Sequence, residues 1–239
     1  TTMAHFADMM FILVRTNLDY KPQEGISFML LDMKSPGVSV KPIITLDGSH
    51  YINMVYLEDV FIPHKNLIYE ENKGWTVAKY LLAHERTNNA QVASSKKALS
   101  KIRKIAELKI NGTYSLSEDK RFIDKLSHCN LRVQALEYDL IKVISNEIKG
   151  IPPGVEANML KIRGSEIQQE ITELVLEASG YYANSIQNNI IEIGMNEPKV
   201  GPTWTSTSAQ KYFDMRKTTI YAGSTEIQKN ILAKMVLEL

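Results

Sequence analysis

The fold is decided by residues 72–110, NKGWTVAKYLLAHERTNNAQVASSKKALSKIRKIAELKI, where the spacing of the apolar residues changes. Before this stretch, apolar residues come in short or alternating runs. Within it they recur every three or four residues, which is typical of an amphipathic helix. The pattern predicts one continuous helix that ends at Asn111-Gly112, a common stop signal. We therefore expect strands before residue 70 and helices after it.

Residues 1–68 are predicted to form strands, because turns containing Pro or Gly separate short apolar runs. The runs lie at 11–16, 26–33, 38–43 and 51–62. In the last run Ile52, Met54 and Tyr56 share one face, since side chains alternate along a strand. These features indicate a small antiparallel sheet or barrel.

Further helices are predicted at 117–148, at 155–179 and, as a pair, towards the C-terminus. The predicted fold class is therefore α+β. A partial antiparallel β domain over residues 1–68 precedes an up-and-down, four-helix-bundle-like domain over residues 69–239.

Composition excludes several classes of function. The 239 residues are 44% hydrophobic and 23% charged, as in an ordinary soluble globular protein. A net charge of +1 without a basic or acidic block argues against nucleic acid or an anionic membrane as the main partner. No apolar run is long enough for a membrane span. The single cysteine, Cys129, excludes an internal disulfide and fits a reducing compartment, and no metal-ligand spacing is present.

One carboxylate interrupts an apolar helical stripe. Glu85 shares that stripe with Trp75, Ala78, Leu82, Asn89 and Val92, at three- and four-residue spacing. A carboxylate in such a position must have an ionic partner, lie at the edge of the stripe, or face a cavity. It is either a salt-bridged structural residue or a desolvated general base with a raised pKa, and periodicity does not choose between the two.

Three segments together resemble the acyl-CoA dehydrogenase family. They are residues 25–48, GISFMLLDMKSPGVSVKPIITLDG, residues 53–86, NMVYLEDVFIPHKNLIYEENKGWTVAKYLLAHER, and residues 214–239, DMRKTTIYAGSTEIQKNILAKMVLEL. The resemblance implies a C-terminal fragment, consistent with a chain that enters a β-like run without an initiator Met. It also implies FAD as cofactor and oxidation of an acyl-CoA thioester to the trans-2-enoyl-CoA. A carboxylate then removes the α-proton while hydride passes to flavin N5.

In many members the catalytic base lies in a C-terminal Tyr-Glu-Gly-Thr segment, which here reads Tyr221-Ala222-Gly223-Ser224. Ala222 cannot take a proton, although its backbone N–H is still expected to hold the thioester carbonyl. The resemblance places Tyr221 and Gly223 in the acyl pocket and Ser224 near the cofactor. Ser224 is equally suited to be a helix N-cap, and both roles are compatible.

A minority of the family carries the base on the first helix of the C-terminal domain, directly before an Arg. The matching residues here are Glu85 and Arg86, which the resemblance implies as catalytic base and substrate-binding residue. The alternative is that both changes are accidental and the subunit is inactive. Thr1 and Thr2 resemble the end of a Trp-x-Thr element that contacts the flavin, and are candidate cofactor-binding residues.

The family's ADP-binding segment is altered. Homotetrameric members bind the ADP half of FAD with a Gln followed by Gly-Gly, where this chain has Glu177, Gly180 and Tyr181. The resemblance then implies an oligomer, in one interpretation a heterotetramer in which this chain is the base-bearing subunit beside a related chain. It further implies an electron-transfer flavoprotein as acceptor and a bacterial cytoplasmic location. The rival functions are a non-catalytic structural subunit and an acyl-CoA oxidase.

Overall fold

The computed structural model describes residues 1–19, 21–85, 88–109, 114–151, 154–185, 187 and 196–239, and of residues 83–85 it describes the backbone alone. The chain divides into two compact units, Thr1–Glu85 and Arg86–Leu239. The predicted α+β class is confirmed, because antiparallel strands dominate the first unit and helices the second. In this division the first helix groups with the strands, and the domain boundary predicted at residues 68 and 69 stays a prediction.

The first unit contains two small antiparallel sheets. Strand β2 lies between β1 and β5, and β3 pairs with β4. The strands are β1 (Met9–Arg15), β2 (Ile26–Asp32), β3 (Val38–Ile44), β4 (His50–Leu57) and β5 (Leu67–Ile68). Ile52, Met54 and Tyr56 do share one face of β4, and it is Asn53 on the opposite face that is buried. The predicted strands are therefore present, in two sheets rather than one.

Helix α1 (Gly74–Glu85) packs directly against β2. Its first residue, Gly74, approaches the strand so closely that a Cβ would lie 2.6 Å from the backbone nitrogen of Phe28. Only glycine permits such an approach without displacing backbone atoms. The contact fixes the start of the helix that ends at Glu85.

The predicted continuous helix over residues 72–110 is wrong. Helix α1 ends at Glu85, a 3-10 turn covers Asn88–Ala90, and α2 (Val92–Ala106) follows. Gln91, directly before α2, has φ +50°, and its side-chain Nε2 donates to the carbonyl of Asn88 at 2.9 Å. The left-handed backbone and this side-chain hydrogen bond separate the 3-10 turn from α2. Asn89 and Val92 therefore do not continue the stripe of α1, and the predicted stop at Asn111-Gly112 lies outside the described residues.

The second unit is built on three long helices and a shorter C-terminal pair. They are α2, α3 (Lys120–Ile148), α4 (Glu156–Ser179), α5 (Ser208–Met215) and α6 (Thr225–Val236). The core lies between α2, α3 and α4, where the largest fully buried side chains include Ile102, Phe122, Leu136, Leu160 and Ile167. Burial of this apolar area is the main stabilising term for the bundle.

Cys129 lies within that core. Burial raises the pKa of its thiol to about 12, so the thiol is inert at neutral pH. Among the helices in the described ranges, none combines the length and apolar character that crossing a membrane requires.

Candidate active site

Helix α4 holds the segment that leads into the 221–224 corner. The ammonium of Lys161, on a residue that is 3% exposed, donates to the carbonyl oxygen of Thr218 at 3.0 Å. The amide of Gln169 donates to the carbonyls of Met215 and Arg216, each at 3.2 Å. These side chains satisfy carbonyls around the 3-10 helix Arg216–Thr219, and so fix the approach to the corner.

Arg216 makes the reciprocal contacts. Its guanidinium donates to the carbonyl of Gln169 and to the hydroxyl of Thr172, both at 3.1 Å, and stacks 4.2 Å from the ring centre of Tyr212. It also pairs with Glu173 at 3.0 Å. A planar, multiply bonded guanidinium allows little rotation, so the start of the 3-10 helix is rigidly placed against α4.

The corner itself turns through two left-handed residues. Ala222 has φ +55° and Gly223 has φ +85°. At Gly223 a Cβ would lie 2.1 Å from Nε2 of Gln228, whereas alanine at position 222 adopts a conformation that disfavours any Cβ. The corner thus turns through left-handed residues even though the side chain at 222 carries no acid.

Ser224 is the N-cap of α6, as one of its two predicted roles required. Its hydroxyl accepts from the backbone N–H of Ile227 at 3.4 Å. Beside it, the hydroxyl of Thr225 and the side-chain oxygen of Gln228 are buried and have no hydrogen-bond partner among the described residues. Orphaned buried polar atoms are uncommon in folded proteins and mark positions where a bound group belongs. The corner therefore fits a cofactor or substrate that brings hydrogen-bonding groups.

Two charges flank the corner. The pKa of Lys161 is lowered, chiefly because burial penalises its charged form, while the negative charge of Glu226 partly opposes this. The pKa of Glu226 is also lowered, first by its own backbone N–H and next by the hydroxyl of Ser224. The carboxylate of Glu226 is thus fully ionised at the N-terminus of α6, where the helix dipole favours negative charge.

A cavity of about 350 Å³ opens within the second unit, between α2, α4 and the segment before the corner. Tyr221, a predicted pocket residue, lies in its wall. Lys161, Ser165, Gln168 and Thr172 line the same cavity and follow one another on α4 at three- and four-residue spacing. The sequence interpretation missed this polar stripe. Its signal was present in the sequence, as polar residues that recur along α4 with helical periodicity.

The other predicted site residues lie in the first unit or outside the description. Glu85 is the last residue of α1, and its side chain is outside the described part, as is the whole of Arg86. Thr2 pairs with Ile52 as an isolated antiparallel bridge, and the carbonyl of Thr1 accepts from the backbone N–H of Asn53 at 2.9 Å. Thr1 and Thr2 therefore lie along β4.

Asn53 anchors that pairing and was not identified from the sequence. The nitrogen of its buried amide is hydrogen-bonded to Nδ1 of His5 at 2.9 Å, and the amide oxygen is hydrogen-bonded to Nε2 of His50 at 2.7 Å. The two imidazole rings stack with their centres 4.1 Å apart. The network orders the residues that precede β1 against β4. Across the part of the chain that the structure describes, no group of three or more acidic, His or Cys residues is arranged to bind a metal.

The segment that the resemblance aligns with the family's ADP-binding Gln and Gly-Gly lies at the end of α4. Glu177 pairs with Lys125 at 2.9 Å, and Gly180 ends the helix with φ +52°. Tyr181 is 91% exposed, so its ring stands on the surface where family members have a second glycine. A carboxylate and a projecting ring at this position oppose the close approach of a pyrophosphate.

The family model for the acyl-CoA dehydrogenase C-terminal domain matches residues 72–237. The chain belongs to the acyl-CoA dehydrogenase family. Acyl-CoA dehydrogenases are flavoprotein oxidoreductases that use FAD, so the predicted family, enzyme class and cofactor are confirmed at this level. Among curated relatives, acyl-CoA dehydrogenase FadE34 of Mycobacterium tuberculosis is 28% identical over 75% of the chain and 24% of its own length. Acyl-CoA dehydrogenase IpdE1 of Mycolicibacterium smegmatis is 25% identical over 100% of the chain and 55% of its own.

Among solved structures, the ChsE4-ChsE5 complex from Mycobacterium tuberculosis is similar in fold. A chain of that complex aligns with a TM-score of 0.80 at 24% identity, covering 100% of this chain and 59% of its own. The chain thus spans about half the length of the relative that it matches from end to end, or less in the case of FadE34.

Proposed function

We propose that this chain is part of an FAD-dependent acyl-CoA dehydrogenase in which Glu85 is the catalytic base. The reaction is oxidation of an acyl-CoA thioester between its α and β carbons to the trans-2-enoyl-CoA. The observation that carries the proposal is Ala222, which preserves the left-handed turn of the corner while lacking the acid found there in many relatives. A base is still required, and Glu85, directly before Arg86, matches the family's second base position.

In this proposal the chain supplies a base and a hydrogen-bond donor. The Glu85 carboxylate accepts the α-proton, and its position in the apolar stripe that the sequence of α1 predicts suits a base whose pKa is raised towards neutrality. The backbone N–H of Ala222 donates to the thioester carbonyl, so that the negative charge formed as the proton leaves is stabilised. Arg86 and Tyr221 contact the substrate.

FAD, when bound, accepts the hydride from the β carbon. Thr1, Thr2 and Ser224 are the residues of this chain proposed to contact it. Support at the corner comes from the orphaned Thr225 hydroxyl and Gln228 oxygen, which are suited to hydrogen-bond a polar group. The hydroxyl of Ser224 accepts one hydrogen bond as the N-cap of α6, and its second lone pair can accept another from the cofactor.

We further propose that this chain is the base-bearing member of a hetero-oligomer with a related subunit, such as a heterotetramer. One face of α4 supports this, because ion pairs with its carboxylates engage the cations that could otherwise bind a neighbouring subunit's pyrophosphate. The pairs join Arg132 to Glu166 and Glu170, Arg216 to Glu173, and Lys125 to Glu177. Similarity to a chain of the ChsE4-ChsE5 complex points in the same direction. An electron-transfer flavoprotein as acceptor and a bacterial cytoplasmic location stay predictions.

A non-catalytic structural subunit is the principal alternative, and Glu85→Gln in the full-length, FAD-loaded complex separates the two. General-base catalysis contributes roughly 10²- to 10⁴-fold, so we expect turnover to fall by at least about 100-fold while flavin content is unchanged. Glu71→Gln, an exposed carboxylate shortly before α1, is the matched control and should leave turnover unchanged. Wild-type turnover in Glu85→Gln would exclude the base assignment. Oxygen consumption without an added acceptor would instead identify an acyl-CoA oxidase.

A further inference from the structure

The cavity between α2, α4 and the corner segment is lined mainly by polar residue types, although most of the surface that they present to it is apolar. Its volume of about 350 Å³ is within the roughly 300–1,000 Å³ of ordinary small-molecule sites. Such sites are mostly lined by apolar and aromatic side chains. Here the apolar residues in the described wall are Ala98, Ile171 and Met215, and the rest carry polar or cationic groups.

In the described part of its wall, the charged side chains of this cavity have one sign. Lys161 and Lys211 are the charged residues in the described part of the wall, and no carboxylate lines it. Lys211 is exposed and pairs with Asp214 at 3.3 Å, so its charge is compensated at the surface. Lys161 is 3% exposed, and no described carboxylate lies within 4.0 Å of its nitrogen. Glu226 acts on this ammonium only from beyond that distance, and a buried ammonium without a carboxylate in direct contact is costly.

Two polar groups in the cavity wall, on Lys161 and Ser95, also have unused hydrogen-bonding capacity. Among its described contacts, the Lys161 ammonium makes one hydrogen bond, to the carbonyl of Thr218, although it has further donors. Ser95 on α2 lines the same cavity and is 3% exposed, and its hydroxyl has no hydrogen-bond partner in the part of the chain that the structure describes. A cation with spare donors and a hydroxyl without a partner are the groups that a carboxylate would satisfy.

We propose that this cavity receives the distal end of the acyl chain, and that this end carries a carboxylate bound by Lys161 and Ser95. The inference rests on the proposed dehydrogenase function. Tyr221 supplies the connection, because it lines the cavity and directly precedes Ala222, whose backbone N–H holds the thioester carbonyl. An acyl chain that leaves the carbonyl past Tyr221 enters the cavity, and the substrate class is therefore the ω-carboxyacyl-CoA thioesters.

The first test compares matched substrates with the wild-type, FAD-loaded complex. Acyl-CoA thioesters of equal chain length that end in a methyl, a hydroxyl or a carboxylate are assayed for kcat/KM. A hydrogen-bonded charge pair is worth roughly 1.5–3 kcal/mol, so the carboxylate should be preferred over the methyl by about 10- to 100-fold. Preference for the methyl-ended chain, or no preference, overturns the inference. If no acyl-CoA is oxidised, the dehydrogenase function itself fails.

The second test asks whether Lys161 provides the preference. In Lys161→Met the ratio of kcat/KM between carboxylate and methyl substrates should fall by at least about tenfold, and in Ser95→Ala by less. A purely structural role, through the bond to Thr218, would lower both substrates equally and leave the ratio intact. Lys101→Met, an exposed lysine of α2, is the matched control and should not change it.

Binding without turnover gives an independent measurement. Non-reactive thioether analogues of the carboxylate- and methyl-ended substrates are titrated calorimetrically into the complex and into Lys161→Met. The carboxylate analogue should lose about 10- to 100-fold in affinity in the variant while the methyl analogue keeps its affinity. Unchanged affinity for the carboxylate analogue overturns the assignment of Lys161.

Discussion

Replacing Gly223 with alanine tests the geometry of the corner. Gly223 and Gly150 have similar backbone conformations, with φ +85° and +76°, so alanine at either costs about 1–2 kcal/mol of unfolding free energy. At Gly150 nothing lies within 4 Å of an added Cβ, whereas at Gly223 it would lie 2.1 Å from Nε2 of Gln228. Gln228 is 5% exposed, so moving its amide adds an overpacking cost of about 1–3 kcal/mol.

Gly223→Ala should therefore lose about 2–5 kcal/mol and Gly150→Ala about 1–2 kcal/mol. Urea unfolding measures the difference, as a shift in the midpoint at unchanged slope. The chain has 2 tryptophans, Trp75 and Trp204, so in a Trp75→Phe background fluorescence reports the helical unit alone.

The double variant Gly223→Ala with Gln228→Ala isolates the steric part. Truncating Gln228 removes the atom that the new Cβ meets, so the double variant should be more stable than the sum of the single effects predicts, by about 1–3 kcal/mol. Equal midpoint shifts for the two glycine variants, or strict additivity in the double variant, would refute the close approach of Gln228 to the corner.

Three further predictions concern the corner, its charge and the core. Ala222→Gly should stabilise the chain by about 0.5–1 kcal/mol in urea unfolding, because glycine relieves the left-handed strain but gains conformational freedom in the unfolded state. The control Ala233→Gly, within α6, should destabilise the chain. A lower unfolding free energy for Ala222→Gly would contradict the positive φ of Ala222. The pKa of Glu226 is lowered by its backbone N–H and by Ser224, so its contribution is complete above pH 4.5 and lost as the pH falls through the folded-state value. Glu226→Gln should therefore be less stable than wild type at neutral pH, with a gap that closes in acid; a gap independent of pH refutes this. Because burial raises the pKa of Cys129 to about 12, a thiol reagent at mildly alkaline pH should label the chain only after unfolding, and rapid labelling of the folded chain contradicts its burial.

The order of the elements was predictable because periodicity is local. Alternation over residues 1–68 and helical spacing after residue 70 give the strands and helices that the structure contains, with errors of a few residues at the ends. The break after Glu85 was not predictable in this way. Asn88–Ala90 tighten into a 3-10 turn against α4, where a Cβ on Gly164 would lie 2.9 Å from Ala90, and such a contact depends on a residue far along the chain.

For the candidate site, too, some features were predictable from the local sequence and others depended on the tertiary structure. The sequence by itself determined that Ala222 stands where many family members have an acid, that Glu85 precedes an Arg on the first helix, and that Ser224 suits an N-cap. Only the tertiary structure decided that Tyr221 lines a cavity between α2 and α4 and that Lys161 lies buried in the wall of that cavity. The cost of burying an ammonium depends on which groups surround it in space, and those groups come from α2, α4 and the corner together.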